Sequence, residues 1–288
     1  MYVCRIPTSL QEPLPPAVAR QLVPTAEEQL KRPHFTVNPL KEQAPTPENK
    51  PFLLQKYAGR ALLVTTPLCF GNCRFCFRRH LRQETDFSAD FSDALEALRE
   101  NTSLSELILS GGDPLTLDDA PLGKLLGELG KIPHLRRLRF HTRAVTFCPE
   151  RVTPNLLALM KDCGKTVYWV LHINHRDELT PQAKDAIRRL IDVGIPLLQQ
   201  GVLLHGVNDT VDALAELYET LADLRVVPYY LHQLDRVQGA AHFEVPVEMG
   251  RKFMRELRKR LPGYAVPLYV REIPGELAKH VLGEEALG

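Results

Sequence analysis

Hydrophobic and polar positions fall into two regimes along the chain. Up to about Lys56 the apolar residues show little periodicity and prolines recur (Pro13, Pro15, Pro16, Pro24, Pro33, Pro39, Pro45, Pro47, Pro51). This predicts an extended arm with one short helix, around Ala17–Leu22 or Ala26–Lys31, packed on the main domain. From Tyr57 onward, short β-rich apolar runs alternate with segments of helical spacing. Strands are predicted over Arg60–Thr66, Leu107–Ser110, Arg137–His141, Thr166–His172, Leu197–Leu204, Val226–Leu231 and Ala265–Val270. Between them, Phe91, Leu95 and Leu98, then Leu122, Leu125, Leu126 and Leu129, then Leu214, Leu217 and Leu221 mark helix faces. Thr153-Pro154, Thr180-Pro181 and Thr210 supply helix-start signals, and a last helix is predicted over Pro246–Leu261.

Strands that alternate with amphipathic helices make βα units around a parallel sheet, so the fold class is α/β. About six units predict a complete or partial (β/α) barrel. Residues 1–56 form the arm, 57–262 the barrel core, and 263–288 a C-terminal strand and segment. Glycine and polar residues gather where strands end, the edge that carries chemistry in such folds.

Composition narrows the partners. The 288 residues are 44% hydrophobic and 25% charged, with a formal net charge of +1. That balance gives no electrostatic case for nucleic acid or a membrane surface. The N-terminus lacks a signal-peptide pattern and no apolar run is long enough to span a bilayer, which predicts a cytoplasmic protein. The six cysteines are then thiols or metal ligands before disulfides. Cys4, Cys148 and Cys163 read as structural. The other three form Cys69-Phe-Gly-Asn-Cys73-Arg-Phe-Cys76, a C-x3-C-x2-C loop directly after the first barrel strand. Three thiolates on one loop can each take one iron of a cubane cluster and leave the fourth iron open for chemistry. His80 allows a closed zinc site of three cysteines and one histidine as the competing assignment. One unit later, Gly111-Gly112-Asp113-Pro114 ends a strand. Its glycines admit close backbone approach, and Asp113 can accept hydrogen bonds from an ammonium.

The cysteine spacing resembles the radical S-adenosylmethionine superfamily. Cys76-Phe-Arg78-Arg79-His80, Ser110-Gly-Gly-Asp-Pro-Leu115, His141-Thr-Arg143, His172-Ile-Asn-His175, Val202-Leu-Leu-His-Gly-Val-Asn208-Asp209 and Pro228-Tyr-Tyr-Leu-His232 together resemble the lysine 2,3-aminomutase family. Val237-Gln-Gly-Ala-Ala-His-Phe243 and Arg5-Ile-Pro-Thr-Ser-Leu10 look closest to the branch whose β-lysine modifies elongation factor P. The resemblance begins at Arg5, so the helical N-terminal region usual in that branch is not expected within this sequence. The resemblance implies a partial (β/α)6 TIM-like barrel, a 4Fe-4S cluster on Cys69, Cys73 and Cys76, S-adenosyl-L-methionine, and pyridoxal 5'-phosphate carried as a Schiff base. Its register places the Schiff-base lysine at Lys279. It implies Arg60 on the cofactor phosphate and Gln200 beside the cofactor. Gly111, Gly112, Asp113, His172, Asn174 and His175 would contact S-adenosylmethionine. Arg78 would hold the substrate carboxylate, and Asp235 and Glu272 the ε-ammonium of L-lysine. His232 and His242 receive no role. The larger family members carry a structural zinc ligand just after the Val-Asn-Asp segment. Thr210 stands there, so no structural zinc and no family-type tetramer are expected. The implied partners are an electron donor of flavodoxin or ferredoxin type, elongation factor P, and its lysyl-tRNA-synthetase-like ligase.

Overall fold

The structure, a computed structural model, describes residues 4–7, 10, 13–42, 53–80 and 90–283. Thr8 and Ser9 of the arm motif, and Pro45, Pro47 and Pro51, lie outside the described residues. A nine-stranded sheet follows sequence order from end to end. Its strands are β1 (Leu53–Tyr57), β2 (Arg60–Val64), β3 (Glu106–Ser110), β4 (Arg137–Thr142), β5 (Thr166–His172), β6 (Leu197–Val202), β7 (Val227–His232), β8 (Leu268–Arg271) and β9 (His280–Val281). Strands β2 to β8 are joined by parallel pairings throughout, while β1 and β9 add antiparallel edges. The helices are α1 (Pro16–Leu22), α2 (Ser92–Glu100), α3 (Asp119–Gly130), α4 (Ala144–Phe147), α5 (Pro154–Asp162), α6 (Pro181–Asp192), α7 (Val211–Asp223) and α8 (Val247–Arg260). Sequential strand order with right-handed crossovers puts the connecting helices on one side of the sheet, which curls into a partial barrel.

The predicted caps form as the sequence suggests. Thr153, Thr180 and Thr210 each accept a hydrogen bond from the backbone N–H three residues on, at 3.1, 3.2 and 3.2 Å. The leucines of α3 and α7 are buried against the sheet.

Side-chain direction alternates along the strands. Leu63, Leu107, Leu109, Leu138, Phe140, Trp169, Leu171, Leu231 and Tyr269 face the helices and make the main core. Their neighbours Arg60, Ser110, Arg139, His141, His172, Gln200, Tyr230 and His232 face the barrel interior. The helix-facing rows supply hydrophobic stabilisation of roughly 1.5–3 kcal/mol per fully buried large side chain. The interior rows mix these polar groups with apolar ones such as Leu62, Ile108 and Val202, and the barrel encloses a site.

Three boundaries differ from the sequence expectation. The arm does not end at residue 56: its last residues are β1, which pairs with β2 through Leu53↔Leu63 and Tyr57↔Arg60. After residue 262, β8 is the last parallel strand of the barrel and pairs with β7. It also starts at Leu268, after a tight turn at Gly263–Ala265. The arm's one α-helix is α1, the first of the two expected places, and the second holds only a single turn at Ala26–Gln29.

Candidate active site

One cavity of about 460 Å³ opens in the barrel interior, within the size range of small-molecule sites. Its wall carries Cys69, Cys73 and Cys76, Arg60, Arg78, Gly111, Gly112, Asp113, His172, Gln200, Asp235, Glu272 and Lys279. Residues from the first and last strands of the sheet therefore meet in one place. Asn174 and His175 are the exceptions among the residues predicted from sequence.

The cysteine loop leaves the end of β2 and is clamped by the turn after β3. Gly112 N–H donates to the Thr66 carbonyl and Asp113 N–H to the Leu68 carbonyl, both at 2.6 Å. A Cβ on Gly112 would lie 1.9 Å from the Leu68 oxygen, and Gly111 has φ of +130° with its Cβ position 2.6 Å from the Thr66 oxygen. The two glycines therefore admit the protein's own loop as well as lining the cavity. Asp113 is satisfied internally. Its oxygens accept from the Thr142 hydroxyl (2.8 and 2.9 Å), Arg143 N–H (2.7 Å) and Leu115 N–H (3.1 Å). Burial raises its carboxyl above the ordinary range against these bonds. Asp113 thereby ties the end of β3 to the end of β4.

The thiols fit a cluster better than a zinc ion. Among the described residues, no three His, Cys, Asp or Glu side chains converge closely enough to hold a single metal ion. A cubane, with its irons at separate corners, does not require such convergence. His80, the candidate fourth zinc ligand, bonds the Gln238 carbonyl at 3.0 Å instead. Arg143 donates to the Cys73 sulfur at 2.9 Å, a contact that favours the thiolate a metal ligand needs. Arg143 is in turn paired with the fully buried Glu178 and bonded to Gln21 of α1 at 3.2 Å.

The arm closes over this loop. Glu28 binds Arg74 (2.7 and 2.5 Å) and Arg79 (2.6 Å). Glu42 binds Arg78 in a two-point fork, 2.7 Å on each side. The arginines Arg74, Arg78 and Arg79 are thus given acids by a segment with little pattern of its own. Sequence reasoning missed Glu28, Glu42 and Glu178. The available signal was the local excess of Arg74, Arg78 and Arg79, since buried guanidinium groups require acidic partners.

On the opposite wall, Lys279 pairs with Glu272, which also accepts from Lys56 and, at 2.6 Å, from the Tyr57 hydroxyl. Burial alone would raise the Glu272 carboxyl, but Lys279, Lys56 and Tyr57 overcome it and hold it down at about 2. Glu272, the predicted partner of a substrate ammonium, is here engaged by the protein's own cations. Asp235 differs. Burial pushes its carboxyl up to about 7, with Glu272 and Glu42 reinforcing and Lys279 and Lys56 opposing the shift. It is an acid facing the cavity that an incoming cation would stabilise in its charged form.

Arg60 lies over the Tyr57 ring, 4.4 Å from its centroid, and Lys56 shares that corner. Gln200 approaches His141 at 3.5 Å. His141, His172 and His232 line the interior, and burial holds all three rings below the ordinary histidine range, His232 at about 3. The Nε2 atoms of His141 and His172 are buried without a protein partner among the described residues. Such orphaned atoms facing a cavity fit a bound polar ligand.

Asn174 and His175 lie off the cavity wall. Asn174 is fully buried, accepting from Val202 N–H at 2.8 Å and donating to Gln21 at 2.9 Å. His175 caps a short turn by accepting from Asp177 N–H at 3.2 Å. Both turn away from the cavity because β5 ends at His172 and the chain bends there to pack on α1.

Residues 63–220 match the family described as the Radical SAM superfamily. The chain is 42% identical over 262 residues to an L-lysine 2,3-aminomutase of Escherichia coli (strain K12), covering 90% of this chain and 76% of that protein. It is 36% identical to an L-lysine 2,3-aminomutase of Clostridium subterminale, over 90% of this chain and 62% of that protein. Among solved structures, Streptococcus suis SuiB bound to S-adenosylmethionine matches with a TM-score of 0.57 at 13% identity, over 76% of this chain and 52% of that one. A radical SAM methyltransferase from Sphaerobacter thermophilus matches at 0.53 and 19%, over 76% of this chain and 68% of that one. At those identities the structural matches establish a shared fold.

Proposed function

This chain belongs to the lysine 2,3-aminomutase family of the radical SAM superfamily, a family of isomerases, and we propose that it moves the α-amino group of L-lysine to the β-carbon. The product in this reading is (R)-β-lysine, destined for attachment to elongation factor P by a lysyl-tRNA-synthetase-like ligase. A small flavodoxin or ferredoxin supplies the electron. The observation that carries the proposal is the single cavity that gathers three thiols, Lys279, Arg78 and Asp235.

When bound, a 4Fe-4S cluster with S-adenosylmethionine supplies a carbon radical, and pyridoxal phosphate supplies the conjugated system on which an amine can migrate. The chain's residues do the rest. Cys69, Cys73 and Cys76 hold three irons, with Arg143 steadying the Cys73 sulfur. Lys279 would carry pyridoxal phosphate, and Arg60, with Lys56 beside it, would supply positive charge for its phosphate. Gln200 and the neutral rings of His141 and His172 offer hydrogen bonds without adding charge. Arg78 takes the amino-acid carboxylate by charge-assisted hydrogen bonds. Asp235 takes the ε-ammonium, so Arg78 and Asp235 together select an amino acid with a cationic side chain. Glu272, as an ionised acceptor, would hold the Lys279 ammonium in place whenever that lysine is not bonded to the cofactor. Orientation is the main contribution, because one C–H bond must meet the radical and others must not.

The test is anaerobic reconstitution with iron, sulfide and pyridoxal phosphate, then L-lysine, S-adenosylmethionine and a reductant. Mass spectrometry should find β-lysine from the parent chain and none from Lys279→Ala. 5'-Deoxyadenosine without β-lysine would leave the radical chemistry and remove the substrate assignment.

A further inference from the structure

Among the arm side chains that line the cavity, Glu42 is placed against the cysteine-loop arginine Arg78. It lines the cavity beside Arg78, Ser110 and Asp235. Its backbone is fixed by Asn38, whose side chain accepts from Glu42 N–H at 3.0 Å and donates to the Glu42 carbonyl at 2.7 Å. Its carboxylate takes one defined edge of the Arg78 guanidinium, Oε2 on Nε and Oε1 on Nη2. The other pole, Nη1, is thereby turned toward Ser110 Oγ, 3.5 Å away on the cavity wall. The Phe77 ring lies 4.8 Å beneath the guanidinium and limits its tilt.

A planar guanidinium can serve two carboxylates on two edges. We propose that Glu42 is a positioning residue for substrate binding: by holding the Nε/Nη2 edge of Arg78, it aims Nη1 at the carboxylate of the amino acid. The inference rests on the assignment of Arg78 to that carboxylate. Displacement of Glu42 by the substrate is the less favourable course. It would strip a partly buried carboxylate of its partner while Asn38 still holds its backbone in place. Addition at the second pole leaves the first fork intact. The arm is then part of the active site, because the carboxylate grip depends on a residue that precedes the barrel.

The experiment compares L-lysine with 1,5-diaminopentane, which has both amines and no carboxylate. Each is titrated into the full pyridoxal-phosphate-loaded chain and followed by visible absorbance. The cluster-loaded enzyme separately yields KM and kcat. In Glu42→Ala the affinity for L-lysine should fall by about tenfold, ~1.4 kcal/mol, with diaminopentane affinity and kcat within about twofold of the parent. Glu42→Gln, which keeps an acceptor on Arg78, should fall between the two. Equal weakening of both ligands would show a merely structural role and overturn the proposal. Unchanged L-lysine affinity would also overturn it, and tighter binding would show Glu42 to be a competitor. Arg78→Lys separates the underlying assignment: if it leaves the lysine-to-diaminopentane ratio at the parent value, Arg78 does not hold the carboxylate and both readings fall. If Arg78→Lys shifts that ratio and Glu42→Ala does not, only the role of Glu42 falls.

Discussion

Glu272 and Lys279 face each other across the hairpin that ends the barrel, and form an ion pair inside the cavity. The antiparallel register pairs Val270 with Val281 and Arg271 with His280, so its next step brings these two together. The pairing is thus set by backbone geometry. Lys56 and Tyr57 of β1 reach the same carboxylate from the opposite sheet edge. Lys279→Ala therefore leaves Glu272 two partners. Its effect on folding stability should be within about 1 kcal/mol, as for other partly exposed pairs, when read by denaturant midpoint. Its chemical effect should be complete. Borohydride treatment should fix pyridoxal phosphate to the parent chain at Lys279, read by peptide mass, and leave the variant unlabelled.

Asp235 should make both stability and substrate binding pH-dependent. Its carboxyl titrates at about 7 in the fold and near 3.9 in an unfolded chain. The folded state thus binds the proton more tightly, and the ligand-free protein loses stability as pH rises from the carboxylate range toward 7. The full shift corresponds to about 4 kcal/mol. The carboxylate's access to cavity solvent reduces this to on the order of 2 kcal/mol. Asp235→Asn should remove that slope in denaturant titrations. L-Lysine affinity should rise as pH is raised through about 7 in the parent and stay flat in the variant. A parent profile without a rise in that range would remove Asp235 from the ammonium site.

Gly112→Ala should damage the cysteine loop selectively. The added Cβ would lie 1.9 Å from a backbone oxygen of that loop, so the segment after β2 has to move. The expected outcome is a loss of stability of roughly 1–3 kcal/mol. Iron content after reconstitution should fall to less than about half of the parent's, while pyridoxal phosphate absorbance persists because Lys279 stands on another wall.

Glu178→Ala should loosen the arm. The buried carboxylate pairs with Arg143 and accepts from Gln21 (3.1 Å), Asn174 N–H (2.9 Å) and His175 N–H (3.0 Å). Removing one member of a buried pair costs about 3–5 kcal/mol. The loss should appear in the denaturant midpoint and as faster protease cleavage around α1, whose Gln21 loses its long-range acceptor and keeps only the Ala17 carbonyl.

The regular parts of this fold were legible because their signals are local. Period-2 alternation in Arg137-Leu-Arg-Phe-His-Thr142 announces a strand with one polar face, and threonine before a helical pattern announces a cap. The cysteine loop was legible for the same reason, since its spacing is contained in one short segment. What escaped depends on partners far apart in sequence. Asn174 and His175 end a strand as catalytic residues often do, and only the position of α1 and its Gln21 turns them to structural use. Glu272 reads as a substrate acid until β1 delivers Lys56 and Tyr57 to it. The arm's aperiodic sequence hides Glu28 and Glu42, whose meaning lies entirely in Arg74, Arg78 and Arg79.

The alternation of apolar outward and polar inward side chains along the same strands has an evolutionary consequence. A substitution at His141, Gln200 or His232 meets the enclosed space, while one at Phe140 or Leu231 meets the helices. Chemistry and foldability are thereby written on separate sets of positions, interleaved one by one. Interior residues can drift toward a different amino-acid substrate with little penalty in scaffold integrity, so a lineage built on this sheet can diversify its reactions without first acquiring a sturdier frame.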